Sequence, residues 1–183
     1  MIRTVKRVDK LAGIISGNMV EDQRNVETMI EMLELQRNDR LSLDDKLNEF
    51  LGKIVELSEA DMGYIFMLDE NKKNIKEIFR KNINKKNADN IPYNDQILQK
   101  TIDLMNGEYF IDWTGNAPID PVTGMPNWQS KMLIPIIHGD RLYGVLYLSV
   151  ELRNKEFDAN IYNFITRLCE IITPIFYSEK MDR

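Results

Sequence analysis

The segment "SKMLIPIIHGDRLYGVLYLSV", residues 130–150, constrains the chain more than any other stretch. It reads as two strands joined at Gly139-Asp140, a dipeptide that accepts the positive φ of a two-residue hairpin turn. Both strands are apolar at consecutive positions rather than at alternate ones. A hairpin of that kind must be covered on both faces, so the fold needs a layer on each side of a sheet.

The remaining elements supply those layers. Residues 2–36 carry Ile2, Val5, Val8, Leu11, Ile15, Met19, Val26, Ile30 and Leu33 at helical spacing, a narrow apolar stripe on a charged rod. Gly13 and Gly17 weaken such a helix, and Asp22 and Gln23 interrupt its stripe. It needs a partner, either the same helix of a second copy or its own domain. Ser42, with Asp45 three residues on, starts a second helix whose broad face holds Leu43, Leu47, Phe50, Leu51, Ile54 and Leu57. "YIFMLD" and "IKEIFRK" are strands, and residues 82–93 read as loop. Asn94 is a candidate cap for a helix over "DQILQKTIDLMNG" that stops at Gly107, and "EYFID" is a brief strand. Residues 113–129 form a long loop rich in Gly, Pro, Asn and Asp. After the hairpin, a last helix runs from Phe157 and is kinked or ended by Pro174. Strands joined by hairpins, with helices on the faces, imply an α+β domain over 42–183 behind a helical, dimerising segment 1–41.

Composition excludes several classes. A net charge of −5 gives no global field toward nucleic acid or anionic lipid. The basic stretch Lys72, Lys73, Lys76, Arg80, Lys81, Lys85 and Lys86 has only Phe79 among it, which suits a solvated strand edge better than base stacking. No apolar run reaches the ~18 residues of a membrane span. One cysteine, Cys169, rules out an internal disulfide and suits a reducing cytoplasm. With His138 as the sole histidine, there is no ligand cluster for zinc. No P-loop, G-x-G-x-x-G or G-x-S-x-G occurs.

Three stretches together resemble the GAF domain family: "LDDKLNEFLGKIVELSEADMGYIFMLDE", the opening hairpin, and the Phe-led closing helix "KEFDANIYNFITRLCEIITPIF". The resemblance spans Ser42 to Tyr177. It implies a GAF-like, PAS-related antiparallel sheet of about six strands, with terminal helices on one face and a short helix plus loops over a small-molecule pocket on the other. It further implies a sensory or regulatory homodimer paired through N- and C-terminal helices, relaying a signal to an output domain or partner protein.

Family-specific chemistries find little support. Cyclic-nucleotide-binding members carry Asn-Lys, then Phe, then an Asp-Glu pair. Here Asn154, Lys155 and Phe157 match, but Ile161 and Tyr162 stand where the acidic pair belongs. Bilin-carrying and sulfoxide-reducing members need a pocket cysteine, whereas Cys169 falls in the last helix. "DPVTGMPN", 120–127, resembles a diguanylate cyclase stretch without that domain's metal-holding turn. No metal, bilin or catalytic residue is therefore expected, and the ligand is left unidentified.

The long loop is the richest candidate for binding, because Trp113 and Trp128 bracket it and Asp112, Thr114, Asn116 and Asp120 lie between or beside them. The expected ligand contacts are Phe66, Phe79, Phe110, Asp112, Trp113, Thr114, Asn116, Trp128, Met132 and Ile134. The alternative is a ligand-free dimerisation or docking module whose own side chains fill that space.

Overall fold

In the computed structural model the described residues are 22–71, 74–83, 96–113 and 119–181, the last four as backbone only. Residues 22–37 form α1. The remaining elements, in chain order, are α2 (Leu43–Ser58), β1 (Met62–Leu68), β2 (Ile75–Asn82), α3 (Gln96–Leu104) and β3 (Glu108–Asp112), followed by β4 (Gln129–His138), β5 (Arg141–Glu151), α4 (Ala159–Ile172) and α5 (Pro174–Met181). The five strands form one antiparallel sheet in the order β2-β1-β5-β4-β3. That is one strand fewer than the expected six among the described residues.

The hairpin is central, and it is covered twice. On one face α1, α2, α4 and α5 pack Met32, Phe50, Leu51, Ile54, Leu168 and Ile172 against Ile65, Met132, Ile134, Leu146 and Leu148. On the other face α3 sets Leu98 and Ile102 on Tyr64, Phe66, Leu133, Val145 and Tyr147. Ser42 and Asp158 cap α2 and α4, accepting from the backbone N–H groups of Asp45 and Ile161. The apolar strands are neither helix-spaced nor long, which leaves burial between two layers as their stable solution.

At the hairpin tip Gly139 has φ of 60° while Asp140 does not turn positive, as a type II′ turn requires. Further along β5 the phase slips. Ile136 pairs with Gly144 and Ile137 with Leu142, so Tyr143 is an extra residue in the ladder. Tyr143 therefore faces the helices, while Leu142 and Val145 face α3. Gly144 sits where a Cβ would come within 2.6 Å of the Phe66 carbonyl oxygen.

Two expected stops work differently. Met105 (φ 54°), not Gly107, takes the left-handed position after α3, and its N–H donates to Thr101. Gly107 is small because Tyr162, the Leu133 carbonyl and Pro135 crowd it. Pro174 does end a helix: α4 stops at Ile172 and α5 begins at the proline. The expected cap Asn94 and the stripe before residue 22 lie outside the described residues.

Helix α1 has two apolar faces. Met29, Met32 and Leu35 pack on the domain, and the Gln36 side-chain amide donates to the Ile171 carbonyl at 2.7 Å. Val26 and Ile30, one helical turn apart, are 52% and 50% exposed. At the edge of the sheet formed by the described strands, Lys76, Arg80 and Lys81 of β2 are exposed, which suits an edge position.

Candidate functional site

The register assembles the site at one end of the sheet, on the α3 side. Asn82, Met62, Ser149, Lys131 and Phe110 form one row across all five strands. Arg80, Tyr64, Tyr147 and Leu133 form the next. With strands about 4.8 Å apart, Asn82 and Lys131 stand ~14 Å from each other across the floor. Polar groups thus lie at both ends, with aromatic rings between them.

The rings form one cluster. Tyr147 meets Tyr64 and Phe66 edge-on, with centroids 6.1 Å apart in both pairs, and Tyr64 stacks with Phe66 at 5.7 Å. Burial pushes the Tyr64 hydroxyl above its ordinary pKa, while the charge of Arg80 opposes that shift.

The β4 end of the floor is ionic. Lys131 Nζ donates to Asp112 Oδ2 at 2.7 Å, and their side chains are only 15% and 12% exposed. The same ammonium lies 5.6 Å from the Tyr147 ring centroid. Beside it the Ser149 hydroxyl donates to Gln129 Oε1 at 2.9 Å. A lysine inside a strand buried on both faces is costly unless paired, and the diagonal from β4 to the end of β3 provides the carboxylate.

The ten residues expected to touch a ligand separate. Phe66, Phe110 and Asp112 lie on the α3 side. Phe79, Met132 and Ile134 lie in the helix-side core, on the opposite face of the sheet. Trp113 and Trp128 contact each other edge-on at 5.4 Å. They flank the Asp112–Gln129 pair, out of phase with it, and Trp113 is 59% exposed. Thr114 and Asn116 lie outside the described residues. Nothing in the local sequence pattern singles out Tyr64, Tyr147, Ser149 or Asn82, and Lys131 stands out only faintly. One signal was available: Lys131 is the only charged residue between Gln129 and Ile137.

The neighbouring loop is pinned from outside. Arg153 donates to Glu151 at 2.6 Å and to Asp120 at 2.9 Å. Asp120 also accepts from the Val122 N–H, which, with Thr123 and Arg153, holds its carboxyl below the ordinary range.

Cys169 is buried on the helix side, away from the floor, and burial pushes its thiol far up. Iodoacetamide at pH 8 is expected to leave Cys169 unmodified in the folded protein and to alkylate it in urea, as read by mass spectrometry. Because the folded thiol ionises less readily than the unfolded one, its contribution to stability is complete below about pH 8.5. That contribution falls as pH rises further.

Among the described residues no group of three or more His, Cys, Asp or Glu side chains could hold a metal ion. Nor is any helix there long and apolar enough to cross a membrane.

No family model matches the sequence, and no curated protein matches it. Solved structures do match. The GAF domain of a phosphoenolpyruvate-protein phosphotransferase from Coxiella burnetii superposes with a TM-score of 0.61 at 14% identity, covering 84% of this chain and 95% of that one. Its counterpart from Acinetobacter gives 0.59 at 13%, covering 85% and 94%. Free methionine-R-sulfoxide reductase from Neisseria meningitidis, in complex with its substrate, gives 0.59 at 12%, covering 87% and 92%. Sequence identities this low speak to architecture alone, and the architecture they show is that this chain has the GAF fold.

Proposed function

We propose that this chain is a sensory or regulatory module that binds a small molecule over the α3-side floor and relays occupancy through its helices. One observation carries the reading: a buried floor with aromatic rings in the middle and polar groups at both ends, opposite a solid helix layer. Pockets that recognise small molecules combine these ingredients.

Strand β5 offers the relay. Tyr147 faces the floor, whereas Tyr143, across the bulge, stacks on Phe176 of α5 at 5.6 Å. His138 stacks on Tyr177 of the same helix at 4.1 Å. A ligand moves such a linkage only if it binds one helix arrangement better than the other.

The sensor is a homodimer, with residues 1–41 as its pairing segment and 42–183 as its sensing domain; the outward Val26 and Ile30 continue the apolar stripe of the chain before them. The double variant Val26→Glu/Ile30→Glu is expected to be monomeric by light scattering with its melting point within about 2 °C of the parent's, since both side chains are half exposed. A variant that stays dimeric removes α1 from the interface.

The reading is not enzymatic. Sulfoxide reduction on this fold needs reachable thiols, and Cys169 is buried on the far face. Native mass spectrometry of the purified protein, followed by a melting screen against metabolites, tests the proposal. A retained or stabilising small molecule supports it; no mass adduct and no melting shift favour a self-filled docking module.

A further inference from the structure

Asn82 is an anomaly on this floor. Its side-chain Nδ2 and Oδ1 are both buried, and neither has a hydrogen-bond partner. Leaving one buried amide group unsatisfied is expensive, and Asn82 leaves two. The register sets it opposite Met62, on the α3 side. That cross-strand neighbour offers only a weak acceptor. The Tyr64 hydroxyl, on a ring only 2% exposed, donates to the Met62 sulfur at 3.6 Å, a weak acceptor.

The chemistry of an orphaned carboxamide is specific. Nδ2 needs an acceptor and Oδ1 needs a donor, side by side in one plane. A carboxylate or phosphate satisfies only Nδ2. An aliphatic ligand satisfies neither. A group with N–H beside C=O, as in a primary carboxamide, lactam or cyclic imide, satisfies both. The aromatic pair Tyr64 and Phe66 in the next two rows favours a flat ring carrying that group.

Building on the binding function proposed above, we infer that Asn82 is the recognition point for a planar ligand that presents an amide-type edge. Asn82 is then a specificity residue whose amide is left unpaired in the empty protein and paired in the occupied one. The stability it forgoes without ligand is the source of its selectivity, because a ligand lacking either half of the edge leaves one orphan in place.

The test uses Asn82→Leu and Asn82→Asp in the full chain, with nicotinamide and its matched carboxylate nicotinate as probes. In the ligand-free protein Asn82→Leu is expected to raise the melting midpoint by about 3 °C, because it removes two unsatisfied groups. Saturation-transfer NMR is expected to show nicotinamide bound to the parent, nicotinate at least tenfold weaker, and nicotinamide lost from both variants. A lower midpoint for Asn82→Leu shows that the amide has a protein partner, and overturns the inference. So does absent nicotinamide binding, equal binding of the two probes, or undiminished binding to Asn82→Asp. If a different retained molecule stabilises parent and variants alike, the sensory reading stands and the role of Asn82 falls.

Discussion

Replacing Gly144 by valine is expected to remove about 3 kcal/mol of folding stability, a large share of the 5–15 kcal/mol typical of a domain. The cause is local and rigid. Gly144 pairs with Met67 of β1 and with Ile136 of β4, so it is held on both sides. A Cβ there would lie 2.6 Å from the Phe66 carbonyl oxygen and 3.5 Å from the Met67 sulfur. The oxygen belongs to backbone in the middle of the sheet and cannot swing away, so β1 and β5 must separate. Gly52 provides the control. It lies inside α2 with nothing within 4 Å of its built Cβ. Gly52→Ala should therefore stabilise by about 0.5–1 kcal/mol. Urea unfolding of the two variants measures both signs at once. If Gly144→Val unfolds within 0.5 kcal/mol (roughly the scatter of surface substitutions) of the parent, β5 does not lie against β1 in the register described.

Breaking the Lys131–Asp112 pair is the second large effect. Lys131→Met is expected to cost about 3 kcal/mol, because it takes the ammonium away from a carboxylate whose side chain is only 12% exposed. Removing both charges in Asp112→Leu/Lys131→Met should return most of that loss, leaving the double variant within about 1 kcal/mol of the parent. Ligand stabilisation behaves differently: neither variant should recover it, since the ionic end of the floor is gone from both. A double variant as unstable as the single one would mean that the carboxylate was not the liability. A double variant that still responds to ligand would move the binding site off this end of the sheet.

What the residues disclosed, and what they concealed, follows from periodicity. The broad face of α2 and the closing helix were legible from their helical spacing, and the hairpin at 130–150 from two short apolar runs that meet at a Gly-Asp turn. Orientation within the hairpin was not. Strands apolar on both faces carry no alternation, so nothing in "KMLIPII" distinguishes Met132 and Ile134, which face the helices, from Leu133, which faces α3. The bulge at Tyr143 compounds this, since one extra residue swaps every later side chain to the opposite face. Trp113 and Trp128 stand out because they are large and bracket a loop, and their rings meet edge-on at the sheet's end. The pieces of the floor, Asn82, Tyr64, Tyr147 and Lys131, come from four different strands. Only strand order and register bring them together, and neither is a local property of sequence.

The same register gives α5 a place in the account. Arg141 lies over the Tyr143 ring at 4.6 Å, and Tyr143, on the same strand as Tyr147, stacks on Phe176, so the hairpin tip holds the C-terminal helix. The proposed relay would use this route.

Electron density above Tyr147, in crystals of protein purified without added ligand and then with the molecule found by native mass spectrometry, tests the central claim most directly. The account predicts non-protein density lying on the Tyr64–Tyr147 rings between Asn82 and Lys131. Side chains of the chain's own loops packed onto those rings, with the identified molecule bound elsewhere, would contradict it.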